Sequence, residues 1–223
     1  MLHALFYKEW MKTRWFLLIT LITLIALSVY FVIVFQNIVE RKDISHLLIM
    51  MLTRKITLVQ LIKYVPIGIG LGMALVQFIP EMYKKCLKLT LHLPFPITLS
   101  TGVMLTWGVF ILSICFASHF MVVFSTLHNP IPSELLAQSL SVLIPWYAAG
   151  FFAYFMVSAI VLEPTWTSRI AYCLIMALGL RIYLLSDQPF AYTHFIGEML
   201  VLIFLAATFS WRSIHRFKIG YQD

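Results

Sequence analysis

WFLLITLITLIALSVYFVIVF, from Trp15 to Phe35, carries no charged residue over its whole length. A transmembrane helix needs about 20 mostly apolar residues to cross a hydrocarbon core of about 30 Å, because lipid offers no partner to free backbone groups. The stretch is long enough, and no small-residue cleavage site follows it, so it reads as a retained span rather than a cleaved signal peptide. Five further apolar segments run from about Ile56 to Ile79, Ile97 to Phe124, Ser139 to Leu162, Ile170 to Leu185 and Pro189 to Ser210. The expected fold is all-α: a polytopic membrane protein with six transmembrane helices forming a single domain over residues 1–223.

Composition agrees with that reading. Hydrophobic residues make up 61% of the chain and charged residues 11%, against about 45–50% and 25% in an ordinary soluble domain. The net charge of +7 is not massed on one stretch but punctuates the apolar blocks, which argues against nucleic acid as a partner. Cys86, Cys115 and Cys173 are too scattered for a disulfide framework or a zinc site and read as packing residues. No other metal-ligand spacing is present, so no metal is expected.

Orientation follows from the short loops that hold Lys and Arg. With a cytoplasmic N-terminus, the inside receives Lys8, Lys12, Arg14, Lys84, Lys85, Lys88, Arg169, Arg212, Arg216 and Lys218, ten in all. The outside receives six: Arg41, Lys42, Arg54 and Lys55, with Lys63 and Arg181 near the outer ends of helices. Both termini are therefore expected inside.

The motifs for chemistry are missing. Without GxxxxGK[ST] the chain has no phosphate-cradling loop, and HExxH, GxSxG and paired-acid patterns are also lacking, so an enzyme is not expected. Gly68 and Gly72 form a GxxxG expected to serve helix packing, and His119 is expected to hydrogen-bond between helices.

Two segments beside the spans are amphipathic. In EMYKKCLKLTLHLPFP, Glu81 to Pro96, the residues Glu81, Lys84, Lys85, Lys88 and His92 form one stripe, while Met82, Tyr83, Cys86, Leu89 and Leu93 cover the rest. Pro80 precedes this helix, and Pro94 and Pro96 stop it. It reads either as an interfacial anchor or as a docking helix for a cytoplasmic partner over residues 81–93. At the N-terminus, residues 1–14 place Lys8, Glu9 and Lys12 on one face and Leu2, Phe6 and Trp10 on another, with Arg14 off the pattern. Trp10 and Trp15 suit the headgroup level. An interfacial entry helix is the expectation.

Those two segments together resemble an ABC transporter permease of the ABC-2 (type II exporter) class. YKEWMKTRWF, Tyr7 to Phe16, is similar to that family's elbow helix, and EMYKKCLKLTLHLPFP to its coupling helix, with Leu93 and Pro94 as the closing Leu-Pro pair. The resemblance implies a permease subunit in the bacterial inner membrane, paired with a second like or homologous permease and with ABC ATPase subunits. The ATP and Mg would sit on the ATPase, leaving this chain without a cofactor. Glu81, Lys84, Lys85, Lys88, Leu89 and Leu93 would couple to that partner. Larger members have a sizeable external segment between spans five and six, whereas here only about Ser186 to His194 separates them. A haem-exporter-like permease of cytochrome maturation and a six-span secondary carrier are the alternative readings.

One further expectation concerns charge at bilayer depth. Arg181 lies about five residues from the outer end of span five and Glu198 about nine into span six, a depth difference of roughly 6 Å. A lone charge in lipid costs at least about 2.5–3.5 kcal/mol on insertion scales. A salt bridge is therefore expected, with His194 one turn from Glu198 as a third member; alternatively Glu198 faces a translocation path.

Overall fold

The computed structural model describes residues 2–54, 63–83, 97–128 and 132–219. They are predominantly helical, without a strand: α1 (Leu2–Arg54), α2 (Val65–Tyr83), α3 (Ile97–His128), α4 (Ser133–Leu162), α5 (Trp166–Tyr183), a 3₁₀ turn (Thr193–Phe195) and α6 (Ile196–Ile219). Five helices are long and apolar enough to cross a membrane, within α1, α2, α3, α4 and the 3₁₀–α6 unit, which is compatible with a multi-pass membrane protein.

Two expectations change. The fifth of the six expected spans does not qualify, because Thr167, Ser168, Arg169 and Arg181 dilute the 18 residues of α5. The N-terminal segment is not a separate elbow either. It runs without interruption into the first span and on to Arg54, 53 residues in all, about 80 Å at 1.5 Å per residue. The cause is plain in the sequence: neither Gly nor Pro occurs between Leu2 and Arg54, so nothing interrupts the backbone hydrogen-bond ladder. Residues 36–54, which carry Arg41, Lys42 and Arg54 of the expected outer side, thus continue α1 as far as Arg54.

Helix α2 begins at Val65, after a turn at Lys63 and Tyr64, and carries Pro80 within it. Glu81, Met82 and Tyr83 therefore belong to α2 rather than opening a new helix. Residues 84–93, with Lys84, Lys85, Lys88, Leu89 and Leu93, lie outside the described residues.

At the centre stands α4, with α2, α5 and α6 packed around it and α3 beside it, while α1 lies along α3 and α2. Trp146, Tyr154, Phe78 and Met73 are fully buried there. Small residues let the backbones approach, as they do where lipid supplies no hydrophobic drive between helices. The contact between α2 and α4 is made at Gly70 and Gly150: a Cβ on Gly70 would strike the Gly150 carbonyl oxygen, and one on Gly150 would come within 2.7 Å of the Pro66 oxygen. The expected GxxxG plays a smaller part. Gly72 packs on the Phe16 ring, and Gly68 faces open space.

Candidate functional site

The first turns of α1 and the last turn of α2 meet in a buried polar junction. On α1, Lys8 and Lys12 are four residues apart and Glu9 lies between them; on α2, Gln77 and Glu81 share a face by the same spacing. Lys12 Nζ is 2.6 Å from Glu9 Oε1 and 2.7 Å from Glu81 Oε1, so one ammonium joins two carboxylates. Lys8 Nζ adds a second cation 2.8 Å from Glu81 Oε1. Both carboxylates are almost sealed from solvent, with 1% exposure each. Two cations against two anions leave the cluster neutral, which is how charges persist at such burial.

The junction extends by neutral donors. The Gln77 amide donates to Glu9 Oε2 at 2.9 Å and to the Met104 carbonyl of α3 at 2.6 Å, and its oxygen accepts from the Tyr154 hydroxyl of α4 at 2.8 Å. Trp107 of α3 donates its indole N–H to Thr13 at 3.0 Å. Phe6 and Trp10 stand edge-on to the Trp107 ring. Four helices are thus tied to one polar cluster. Arg14 stands apart from it, its guanidinium over the Trp15 ring at 5.6 Å.

A second cluster closes the same end of the bundle. Glu163, fully buried where α4 meets α5, accepts from Arg216 at 2.9 Å, Ser213 at 2.8 Å and Thr165 at 3.0 Å. Arg169 donates to the Glu163 carbonyl at 2.7 Å, and Arg216 also reaches Ser168. Sequence reasoning passed over Glu163; its signal was a single acid directly after a long apolar run and before a proline, in LEPTWTSR.

Of the sequence-derived site residues, Lys8, Glu9, Lys12 and Glu81 come together, although they belonged to two separate proposed helices. Glu81 does not stand on a free polar stripe: its carboxylate turns inward to Lys8 and Lys12. Trp10 joins through its edge-on contact with Trp107. His119 behaves as expected, with Nδ1 2.7 Å from the Tyr147 hydroxyl across α3 and α4. Cys115 is buried, whereas Cys173 is exposed rather than a packing residue.

The expected Arg181–Glu198 salt bridge is not formed. Both side chains are exposed, and no ion pair joins them among the described residues. Depth does not separate them: Arg181 lies in the last turn of α5 and Glu198 in the first turn of α6, where a carboxylate is stabilised by the helix N-terminus, and both side chains are exposed instead of meeting. His194 sits in the preceding 3₁₀ turn. Helices α5 and α6 are instead joined by the Tyr183 hydroxyl, which donates to the Met199 carbonyl at 2.8 Å. At this opposite end Lys63 pairs with Asp187 at 2.6 Å.

Among the described residues no group of three or more His, Cys, Asp or Glu is assembled for a metal. Comparison of the chain with protein-family models, with curated proteins and with solved structures finds no match.

Proposed function

We propose that the chain is the membrane-spanning permease subunit of an ATP-driven exporter of the ABC-2 class, with both termini in the cytoplasm of a bacterium and a second permease subunit completing the pathway. ATP and Mg are bound and hydrolysed by separate ATPase subunits. The observation that carries this reading is the junction of Lys8, Glu9 and Lys12 with Gln77 and Glu81. It links the chain's N-terminal segment to the end of α2, immediately before the segment whose sequence is similar to a coupling helix. A push on the chain just after Tyr83 would reach α1 through the lysines, α3 through Met104 and α4 through Tyr154. Buried, paired charge suits that task, because its partners cannot separate cheaply and so move together.

The test is purification of the tagged full chain from its native membrane in mild detergent. The expected result is a co-purifying subunit with a phosphate-binding loop and vanadate-sensitive ATP hydrolysis. A chain that purifies without any ATPase, and whose reconstituted transport follows an ion gradient instead, overturns the proposal in favour of a secondary carrier.

A further inference from the structure

At the same end of the bundle as the junction, a cavity of about 430 Å³ opens beside the last turns of α6. Among the described residues it is lined by Trp211, Arg212, His215 and Arg216, and much of its wall is polar. Two guanidinium groups and an imidazole thus meet one space that no acidic side chain of the described residues lines. Helical spacing brings them together: positions 211, 212, 215 and 216 cover one side of α6, while Ser213 and Ile214 on the other side are buried in the bundle. No charged residue occurs between Glu198 and Arg212, so the cavity begins where the apolar run of α6 ends. Trp211 is an aromatic of the kind that marks headgroup level.

The cations differ in how they are held. Arg216 donates to Glu163 at 2.9 Å, to Ser168 at 2.9 Å and to Thr165 at 3.4 Å, so its guanidinium is fixed against the connection of α4 to α5 and its charge is balanced. Arg212 and His215 are exposed, and neither makes a hydrogen bond or ion pair among the described residues. Cations near a helix C-terminus commonly answer its last carbonyls, and Arg216 and Lys218 are placed to do so. Arg212 is not, because it lies seven residues before Ile219 and that effect falls off within one turn. Its charge is left for something outside the chain. A guanidinium without a partner, a ring nitrogen beside it and a second guanidinium one turn on are the chemistry that binds phosphate, whose oxygens match forked N–H donors.

We propose that this cavity binds a phosphate-bearing anion, with Arg212 and His215 as its ligands and Arg216 as the fixed wall behind them. The phosphate can come from the headgroup of an anionic phospholipid or from a soluble phosphorylated solute. The site does not depend on the permease reading, and its failure would leave that reading untouched.

The experiment offers the full chain in detergent equal amounts of phosphatidylglycerol and phosphatidylcholine and reads the retained lipid by native mass spectrometry. Preferential retention of phosphatidylglycerol is expected, reduced about fivefold or more by Arg212→Gln and lost when His215→Gln is added. Lys218→Gln removes an exposed cation of the same helix that does not line the cavity, and should leave the preference unchanged. All of these side chains are exposed, so the variants are expected to melt with the wild type. The same proteins in phosphatidylcholine nanodiscs are titrated calorimetrically with pyrophosphate. A lipid source appears as the phosphatidylglycerol preference, and a soluble source as saturable pyrophosphate binding that needs Arg212, without that preference. Neither preference nor binding, either of them at full strength in the Arg212→Gln variant, or an equal loss in Lys218→Gln overturns the proposal; the last outcome would mean that net charge alone attracts the anion.

Discussion

Lys12 sits between two carboxylates, of which Glu81 also has Lys8 while Glu9 has no second cation among the described residues, and the consequences of removing each member differ. Lys12→Met leaves Glu9 facing only Gln77, a buried anion without a cation, and is expected to cost about 3–5 kcal/mol. Glu9→Met is milder, because Lys12 keeps Glu81 and the Gln77 amide keeps the Met104 carbonyl; about 1–3 kcal/mol is expected. The double variant should be more stable than Lys12→Met alone, since the orphaned carboxylate is gone and Glu81 still holds Lys8. Thermal unfolding in detergent measures all three, and strictly additive losses would show that Glu9 and Lys12 are not coupled. The composition of this cluster was partly legible. The shared face of Lys8, Glu9 and Lys12 and the position of Glu81 could be read from spacing, but Gln77, Tyr154 and Trp107 lay inside apolar runs where nothing distinguishes a hydrogen-bonding partner from filler.

Among the elements, the crossing of α2 and α4 separates three glycines that look alike in GIGLG. Gly70→Ala should force the two backbones apart, since its Cβ would meet the Gly150 carbonyl oxygen, and lower the unfolding temperature clearly. Gly68→Ala places its methyl in open space and should be neutral or stabilising by up to about 1 kcal/mol through helix propensity. Comparison of the two melting curves checks the crossing; equal losses would mean that α2 is rotated on α4. The motif reading chose Gly68 and Gly72 because GxxxG places them on one face. Which face meets a neighbour depends on the rotation of α2 about its axis, a property of the packed bundle that spacing does not encode. The unbroken α1, by contrast, was readable in principle: a run without Gly or Pro has no reason to bend, whereas the separate entry helix was expected from the amphipathic spacing of residues 1–14 together with the resemblance.

For the whole molecule, the proposed orientation puts the junction end in the cytoplasm. In a variant with Cys86→Ser, Cys115→Ala and Cys173→Ser, an added Tyr83→Cys at an exposed position should react with an impermeant thiol reagent in inside-out vesicles and not in intact cells. Labelling from outside would invert the topology and detach the junction from any cytoplasmic ATPase. What the sequence by itself determined is the class of molecule: long uncharged apolar runs have few ways to bury their backbone polar groups, and helices are the answer that each run can reach alone. It also determined that the charges would gather near helix ends, since lipid penalises them elsewhere. Only the tertiary structure decided which charges meet. Lys12 and Glu81 are far apart in the chain and were paired by the packing of α1 on α2, whereas Arg181 and Glu198, in the last turn of α5 and the first turn of α6, are both exposed and do not pair. Pairing is a property of helix rotation and register between neighbours, and those are set by side chains interlocking across the bundle rather than by the order of residues along any one helix.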